Sequence, residues 1–403
     1  MNVLIVGAGP AGASLAYLLA REGIQVTLLE RESDFSRTFR GEGLMPSGID
    51  ALMQMGLYDL LDTMPTRKLE SWDIFVKARS VMRVHEPFEE LGDRAMRIIP
   101  QVQFLEGIVG MAQAFDSFTL RRDVRVRDLV FRDGRVVGVE AATPEGDGVI
   151  DADYVVGCDG RGSLVRTKCK LELDRFPDRY DVLWFKLPAP ESMRSHCRMF
   201  LLASNSGMGA TYTSWDGRMQ FALLQAKGER HDRTSEEWAD AMAGPAPAWM
   251  GRHIRSVAAE IEGPIRLNVI TGCAKHWSVP GALLLGDAAH PMAPIRAQGI
   301  NTALRDVIVA ANHLVPVLKA GGSAQAVDDA ARLIETERKP EIRRSQSLQY
   351  QDTRGIGTWY TPFLVSLAGT LGPALGRYTW AQNAWLRQQR DLRFGSTEVS
   401  LQI

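Results

Sequence analysis

Three glycines near the start of the chain, Gly7, Gly9 and Gly12, are spaced so that each has its own task beside an anionic ligand. They follow Val3-Leu-Ile-Val6, an apolar run suited to a strand buried on both faces. They precede Ala11 to Arg21, an Ala- and Leu-rich stretch that predicts a helix with Gly23 just past its end. Gly7 permits the tight turn, Gly9 lets the backbone approach a pyrophosphate, and Gly12 lets helix and strand pack closely. The helix N-terminus adds free N–H donors and a positive dipole end for phosphate oxygens. A second strand, Gln25 to Leu29, ends on Glu30, where a carboxylate can accept hydrogen bonds from a ribose diol. Ala11 in the first helical turn and Arg31 beside Glu30 are the flanking contact positions. The unit predicts dinucleotide binding and leaves NAD and FAD undistinguished.

Two later stretches have the same strand-into-turn form. Tyr154-Val-Val156 runs into Asp159-Gly160-Arg161-Gly162-Ser163, with Arg166 beyond it. Ala282-Leu-Leu-Leu285 runs into Gly286-Asp287-Ala-Ala-His290, followed by Pro294, Gln298-Gly299-Ile300-Asn301 and a helix of period 3.6. An Asp-Gly pair after a buried strand is also an ordinary turn, so Asp159 has a structural reading beside a functional one. His290 reads as structural, and the other histidines show no metal-ligand spacing.

In this order the three motifs resemble the class A flavoprotein monooxygenases, the p-hydroxybenzoate hydroxylase family, over residues 3 to 318. The resemblance implies an α/β fold: a Rossmann-type FAD-binding domain of the GR2 type, an inserted antiparallel sheet carrying the substrate, and C-terminal helices. It implies FAD as cofactor, with NAD(P)H as a transient co-substrate that has no Rossmann unit of its own, since the chain contains no second Gly-x-Gly-x-x-Gly. It implies O2 as the other substrate and oxygen transfer from a flavin C4a-hydroperoxide. Family positions fall on Asp287 for ribityl or ribose hydroxyls, and on Pro294, Gly299, Ile300 and Asn301, where a helix N-terminus would face the isoalloxazine and favour its anionic reduced form. Arg40 and Gln101 match positions near the flavin and its ribityl or phosphate groups, Val126 the strand that meets the adenine, and Asp159 with Arg166 a motif near the pyrophosphate that is linked to nicotinamide use.

The chain departs from the family in one turn. Ala297-Gln298-Gly299 stands where a Gly-x-Gly is usual, and alanine tolerates positive φ less well, so the loop beside the flavin is expected to differ in shape. Arg296 is left with two roles, a solvated loop charge or a contact to a substrate anion or the flavin.

Length and composition agree with an ordinary folded enzyme. The 403 residues are 45% hydrophobic and 24% charged with a net charge of -1, which excludes bulk disorder and offers no overall field for nucleic acid. The four cysteines form no CxxC pair, so neither a disulfide framework nor a zinc site is signalled, and a reducing cytoplasm is expected. The charge-free run Val3 to Ala20 is broken by glycines and preceded by no basic residue, which argues against a membrane span or signal peptide.

The expected domain plan is FAD-binding segments at 1–75, 101–178 and 271–320, substrate-domain strands at 76–100, a β-sheet lid at 179–270 and a helical region at 321–403. Short runs between residues 180 and 225 rich in Val, Phe, Tyr and Trp predict the antiparallel lid, with Trp184, Phe185, Met199, Met208, Tyr212, Trp215 and Met219 as candidate walls for an apolar or aromatic substrate. Glu236 to Arg255 predicts two short helices on the rim. Trp359 to Gly376 and Tyr378 to Arg390 predict helices that close the cavity, with docking to a membrane surface as the alternative role. No Trp-x-Trp-x-Ile-Pro run is present, which argues against a halogenase. The competing reading is a reductase of the same fold acting on prenyl chains, with a non-catalytic flavin-binding protein behind it.

Overall fold

The computed structural model describes residues 1–36, 41–177, 180–205, 207–229, 232–353 and 361–403. Its first unit is β1 (Asn2–Val6), α1 (Pro10–Arg21) and β2 (Gln25–Leu29). β1 lies inside a six-stranded sheet, flanked by Tyr154–Gly157 on one side and β2 on the other, with Val3 opposite both Tyr154 and Val26. The sheet is parallel apart from its edge pair Ser278–Val279 with Ala282–Leu284. Val3, Leu4 and Ile5 are fully buried, as a strand covered on both faces requires. α1 lies on one side of the sheet with the helix Gln298–Lys319, so all three motif loops open at the same end of the parallel strands.

A seven-stranded sheet forms the second layer, in the order Glu262–Leu267, Tyr180–Leu187, Met219–Ala226, Gly207–Thr213, Arg198–Ser204, Ser71–Val76, Arg79–His85. It is antiparallel as expected except for one junction: Arg198–Ser204 pairs parallel with Ser71–Val76. The earlier hairpin Ser71–His85 joins the later strands there, so the boundary expected at residue 75 falls inside a strand.

Strand alternation gives this sheet two unlike faces. Leu183, Phe185, Leu187, Phe221 and Leu223 pack beneath the helices Ser235–Ala243 and Ala248–Ser256, burying Trp238, Met242 and Met250. These two helices therefore back the sheet, and are not confined to the rim as the sequence suggested. The other face carries Trp72, Val182, Trp184, Met199 and Tyr212 towards Met45, Met96 and Ala293 of the first layer. In the C-terminal region Trp385 packs on Trp72 with ring centroids 5.7 Å apart, which closes this inner face. The helix Thr361–Leu375 instead rests on the edge hairpin and leaves Leu367, Leu371 and Leu375 exposed. Trp359 lies outside the described residues. Among the described residues no helix is long and apolar enough to cross a membrane.

Behind the third motif lies a buried charge cluster. Asp306 accepts from the Gly286 N–H (3.2 Å), pairs with His290 (2.6 Å) and accepts from Arg338 (2.8 Å). Arg338 also donates to Glu341 (2.9 Å), which in turn binds Arg305 (2.8 Å). Burial alone would raise the Asp306 carboxyl, but His290 and Arg338 hold it below the usual range. Replacing Arg338 by Met removes the cation shared by two buried carboxylates and leaves Asp306 to His290 and Glu341 to Arg305, so urea unfolding of the FAD-loaded protein should show a loss of about 3–5 kcal/mol. A loss under about 1 kcal/mol would mean that the cluster does not hold the loop.

Candidate active site

The glycine turn has the geometry its spacing predicts. Gly7 sits at φ +100°, and a Cβ there would lie 2.6 Å from the Cys158 carbonyl oxygen. At Gly12 a Cβ would lie 1.9 Å from the Gly7 carbonyl oxygen, so helix and turn touch through bare backbone. Gly9, the N-cap of α1, has nothing within 4 Å on its Cβ side and borders a cavity of about 520 Å³. The one open glycine is thus the one whose backbone should approach a ligand. Ala11 is buried against Gly286, which joins the first motif to the third.

Glu30 ends β2 buried at 2% exposure. Its carboxylate accepts from the N–H of Ala8 (3.1 Å) and of Glu32 (3.2 Å), so it also fixes the glycine turn. Arg31 points to solvent in a pair with Glu32 (2.9 Å). The Val124 N–H donates to the Glu30 carbonyl (3.0 Å), which brings the strand of half-buried Val126 alongside Glu30. Arg40 lies outside the described residues.

Asp159 is occupied within its own turn. It accepts from the Ser163 hydroxyl (2.5 Å) and from the N–H groups of Leu164 (2.7 Å) and Val165 (3.0 Å), capping the short helix Leu164–Lys168. Arg166 does not meet a carboxylate within hydrogen-bond range. It donates to the carbonyls of Ala288 and Arg161, both at 2.7 Å, and so ties the Asp-Gly loop to the Gly-Asp loop. Beside them Arg161 reaches Asp287 at 3.2 Å, with both side chains near 30% exposure. Arg161 was not singled out in the sequence, although it stands within the Asp-Gly-Arg run.

The third motif is held from behind and below. Gln349 brackets Pro294 through the Ala293 carbonyl (3.0 Å) and the Ile295 carbonyl (2.7 Å). Ala297 adopts φ +50° and Arg296 φ +61°, so the loop takes the left-handed turn even without the usual glycine. The Arg296 guanidinium lies 5.8 Å over the Trp385 ring. Gly299 and Ile300 form the first turn of the helix Gln298–Lys319, with the Cβ side of Gly299 3.8 Å from an Asp287 oxygen. Asn301 turns away: it accepts from the Met45 N–H (2.9 Å) and donates to the Gly43 carbonyl (3.2 Å). His290 is fully buried and pairs with Asp306.

The cavity runs from Gly9 and Pro10 past Gln101 to Trp184, Trp215 and Ile265 of the sheet layer. Gln101 heads the helix Gln101–Ala112, and its Oε1 is buried with no hydrogen-bond partner among the described residues. Phe185 also borders the cavity, though its ring packs on Trp238 at 5.2 Å. Met219 is shut in the outer core, Met199 and Tyr212 lie on the inner face, and Met208 borders neither. A second hollow of about 820 Å³, among Pro188, Arg194, Asp216 and Glu260, lies away from the glycine turn. Sequence reasoning missed Glu42, a buried carboxyl on the cavity wall that no motif signals.

The family model described as "FAD binding domain" matches residues 1–343. The chain belongs to the FAD-binding class A flavoprotein monooxygenases. This flavoprotein is 30% identical over 88% of its length to 6-methylpretetramide 4-monooxygenase of Streptomyces rimosus and covers 84% of it. It is 26% identical over 85% of its length to the 3-(3-hydroxy-phenyl)propionate/3-hydroxycinnamic acid hydroxylase of Mycolicibacterium smegmatis, of which it spans only 59%. Its fold matches p-nitrophenol 4-monooxygenase of Pseudomonas putida with a TM-score of 0.81 at 19% identity, covering 98% of each chain. The cofactor of this flavoprotein is FAD, and the closed faces of Gly7 and Gly12, the open face of Gly9 and the orphan acceptor of Gln101 suit that group.

Gly9 and Gly12 separate cofactor binding from folding. Gly9→Ala should unfold at nearly the parental temperature yet bind FAD at least about tenfold more weakly, a loss of about 1.4 kcal/mol. Gly12→Ala should lose about 1–3 kcal/mol of stability, because its Cβ has nowhere to go. Thermal melts and FAD fluorescence titration check both, and the argument fails if Gly9→Ala proves the less stable of the two.

Proposed function

We propose that this flavoprotein uses NAD(P)H and O2 to insert one oxygen atom into an aromatic or polycyclic, largely apolar small molecule. The observation that carries the reading is the cavity that begins at the open face of Gly9 and ends among Trp184, Trp215 and Ile265. A cofactor lying on the glycine turn and a substrate lying on the sheet face then share one enclosed space. The 6-methylpretetramide, 3-(3-hydroxy-phenyl)propionate and p-nitrophenol in the names of the similar enzymes agree with walls of this kind.

In this reading FAD, where these residues hold it, would supply acceptance of a hydride from NAD(P)H and activation of O2. The protein's own residues bind, orient and exclude water. The main chain at Gly9 and the first turn of α1 hold the pyrophosphate, while Glu30 and the strand of Val126 face the adenosine end. The Gln101 carboxamide and Asp287, the latter steadied by Arg161, receive ribityl hydroxyls. The N–H groups at Gly299 and Ile300 present a positive helix end to the flavin ring. The side chains of Asp159, Arg166 and Asn301 shape these loops through their hydrogen bonds within the protein. Phe35, Trp184 and Trp215 supply apolar wall, which keeps bulk water from the reacting centre.

The test is turnover with labelled oxygen. The purified yellow protein, given NADH or NADPH under 18O2 with a panel of phenols, naphthols and polycyclic aromatics, should yield a product one labelled oxygen heavier. Reduction of the flavin by NAD(P)H with substrate consumed but no oxygen incorporated would move the assignment to a reductase of the same fold.

A further inference from the structure

The cavity wall carries, among its aromatic and apolar residues, a buried carboxyl that the sequence reading assigned no role. Glu42 is 7% exposed on the cavity wall, between the cofactor layer and the sheet. Its Oε2 accepts from the Ser214 hydroxyl (2.7 Å) and its Oε1 from the Gln220 amide (3.3 Å). Gln220 is 4% exposed, borders the same cavity, and its own Oε1 has no donor among the described residues. A buried carboxyl beside a buried unpartnered carbonyl is costly unless a ligand supplies the missing donors.

We propose that Glu42 receives the proton of an ionisable hydroxyl on the aromatic substrate, and that with Gln220 it forms the hydroxyl-recognition end of the cavity. The proton leaves the substrate O–H for a Glu42 carboxylate oxygen, and the bonding pair stays on the substrate oxygen. The ring becomes more electron-rich, and no redox partner is needed for this step. The inference rests on the monooxygenase reading for its purpose, but binding and proton transfer are readable without turnover.

The surroundings suit a group that changes charge under working conditions. Burial pushes the Glu42 carboxyl up to about 7, opposed by the Ser214 hydrogen bond and by Lys186, with Asp216 adding to the rise. The Tyr212 hydroxyl and the Cys197 thiol also face it, both kept neutral by burial. Lys186 is paired with Asp216, so it does not fix Glu42 in the charged form. Below about 7 Glu42 carries its own proton, and above it the carboxylate is free to take one.

The probes are 2-naphthol, whose anion has its own ultraviolet band, and its methyl ether 2-methoxynaphthalene, which has no proton to give. Both are titrated into the FAD-loaded, oxygen-free protein without NAD(P)H, and binding is followed by the flavin spectrum. The parent should bind 2-naphthol about ten- to hundredfold more tightly than the ether, with a naphtholate band that grows as pH rises through about 7. Glu42→Gln can still accept from the Gln220 amide and, with the Ser214 hydroxyl turned to accept, donate to it, so its FAD spectrum should stay while the naphtholate band disappears. Ser214→Ala removes a bond that favours the carboxylate, so the band should begin at higher pH. An unchanged band in Glu42→Gln, equal affinity of the parent for phenol and ether, or binding of neither overturns the inference. If NAD(P)H and O2 are still consumed in that case, only the role of Glu42 falls. If NAD(P)H never reduces the FAD, the function reading falls while these spectra still decide on Glu42.

Discussion

The placement of the third motif depends on the buried charges around Asp306. Arg305 and Arg338 balance Asp306 and Glu341, and all four side chains are 5% exposed or less. Such a cluster contributes little net stability, because desolvating four charges offsets most of their attraction. What it fixes is arrangement. Arg338 and Glu341 come from the helix Ala324–Thr353, Arg305 and Asp306 from Gln298–Lys319, and Gly286 and His290 from the loop bearing Asp287. Arg305 also donates to the Thr397 carbonyl (2.6 Å), which seats the C-terminal tail on the same centre. No apolar substitute could require all four segments at once, since a hydrophobic contact has no direction. The loop bearing Asp287 is therefore set by charges on its far side.

A second constraint works next to the cavity residue Glu42, where the segment that follows it meets the helix Gln298–Lys319 without room for side chains. A Cβ on Gly43 would lie 2.9 Å from the Ala297 Cβ, and one on Gly48 would lie 2.0 Å from the Asn301 oxygen. Asn301 closes the contact by bonding the main chain at Met45 and Gly43. Residues 256 and 258 positions apart are thus locked together, and Glu42 follows immediately from that lock. The left-handed backbone at Ala297 belongs to the same contact: it turns the alanine methyl onto Gly43.

The glycine fingerprint was legible in the sequence because its chemistry is local. Three glycines, one helix start and one acidic strand end lie within a single strand–helix–strand unit, and their spacing follows its geometry. Asp159 and Asn301 were harder, since composition cannot say whether a polar side chain is saturated by its neighbours. The Asp159 side chain caps the helix five residues on, and the Asn301 side chain reaches back across the fold to Met45. Glu42 was invisible for the opposite reason. Its partners Ser214 and Gln220 are 172 and 178 positions away, and only the closing of the sheet over the cofactor layer brings them together. The expected lid was right in kind, but the sorting of its residues into walls and outer core needed the register.

That register is where the sheet's chemistry is decided. Along Tyr180–Leu187 the outward residues Leu183, Phe185 and Leu187 build a core, while Trp184 and Lys186 turn inward. A slip by one residue would bury Lys186 among the helices and present leucine to the cavity, so the outer core holds the inner face in place. The next strand departs from strict alternation. Trp184 pairs with Ile265 but Lys186 with Glu262, which places an extra residue in the outer strand at Gly263 and Pro264. Residues three apart in a regular strand point to opposite faces, yet Glu262 and Ile265 both border the cavity. Gly263 makes this possible: at φ +115° a Cβ there would lie 2.6 Å from the Trp184 carbonyl oxygen. The bulge thus sets a charged and an apolar side chain together on the wall, at the edge of the sheet where pairing can be interrupted without exposing the core.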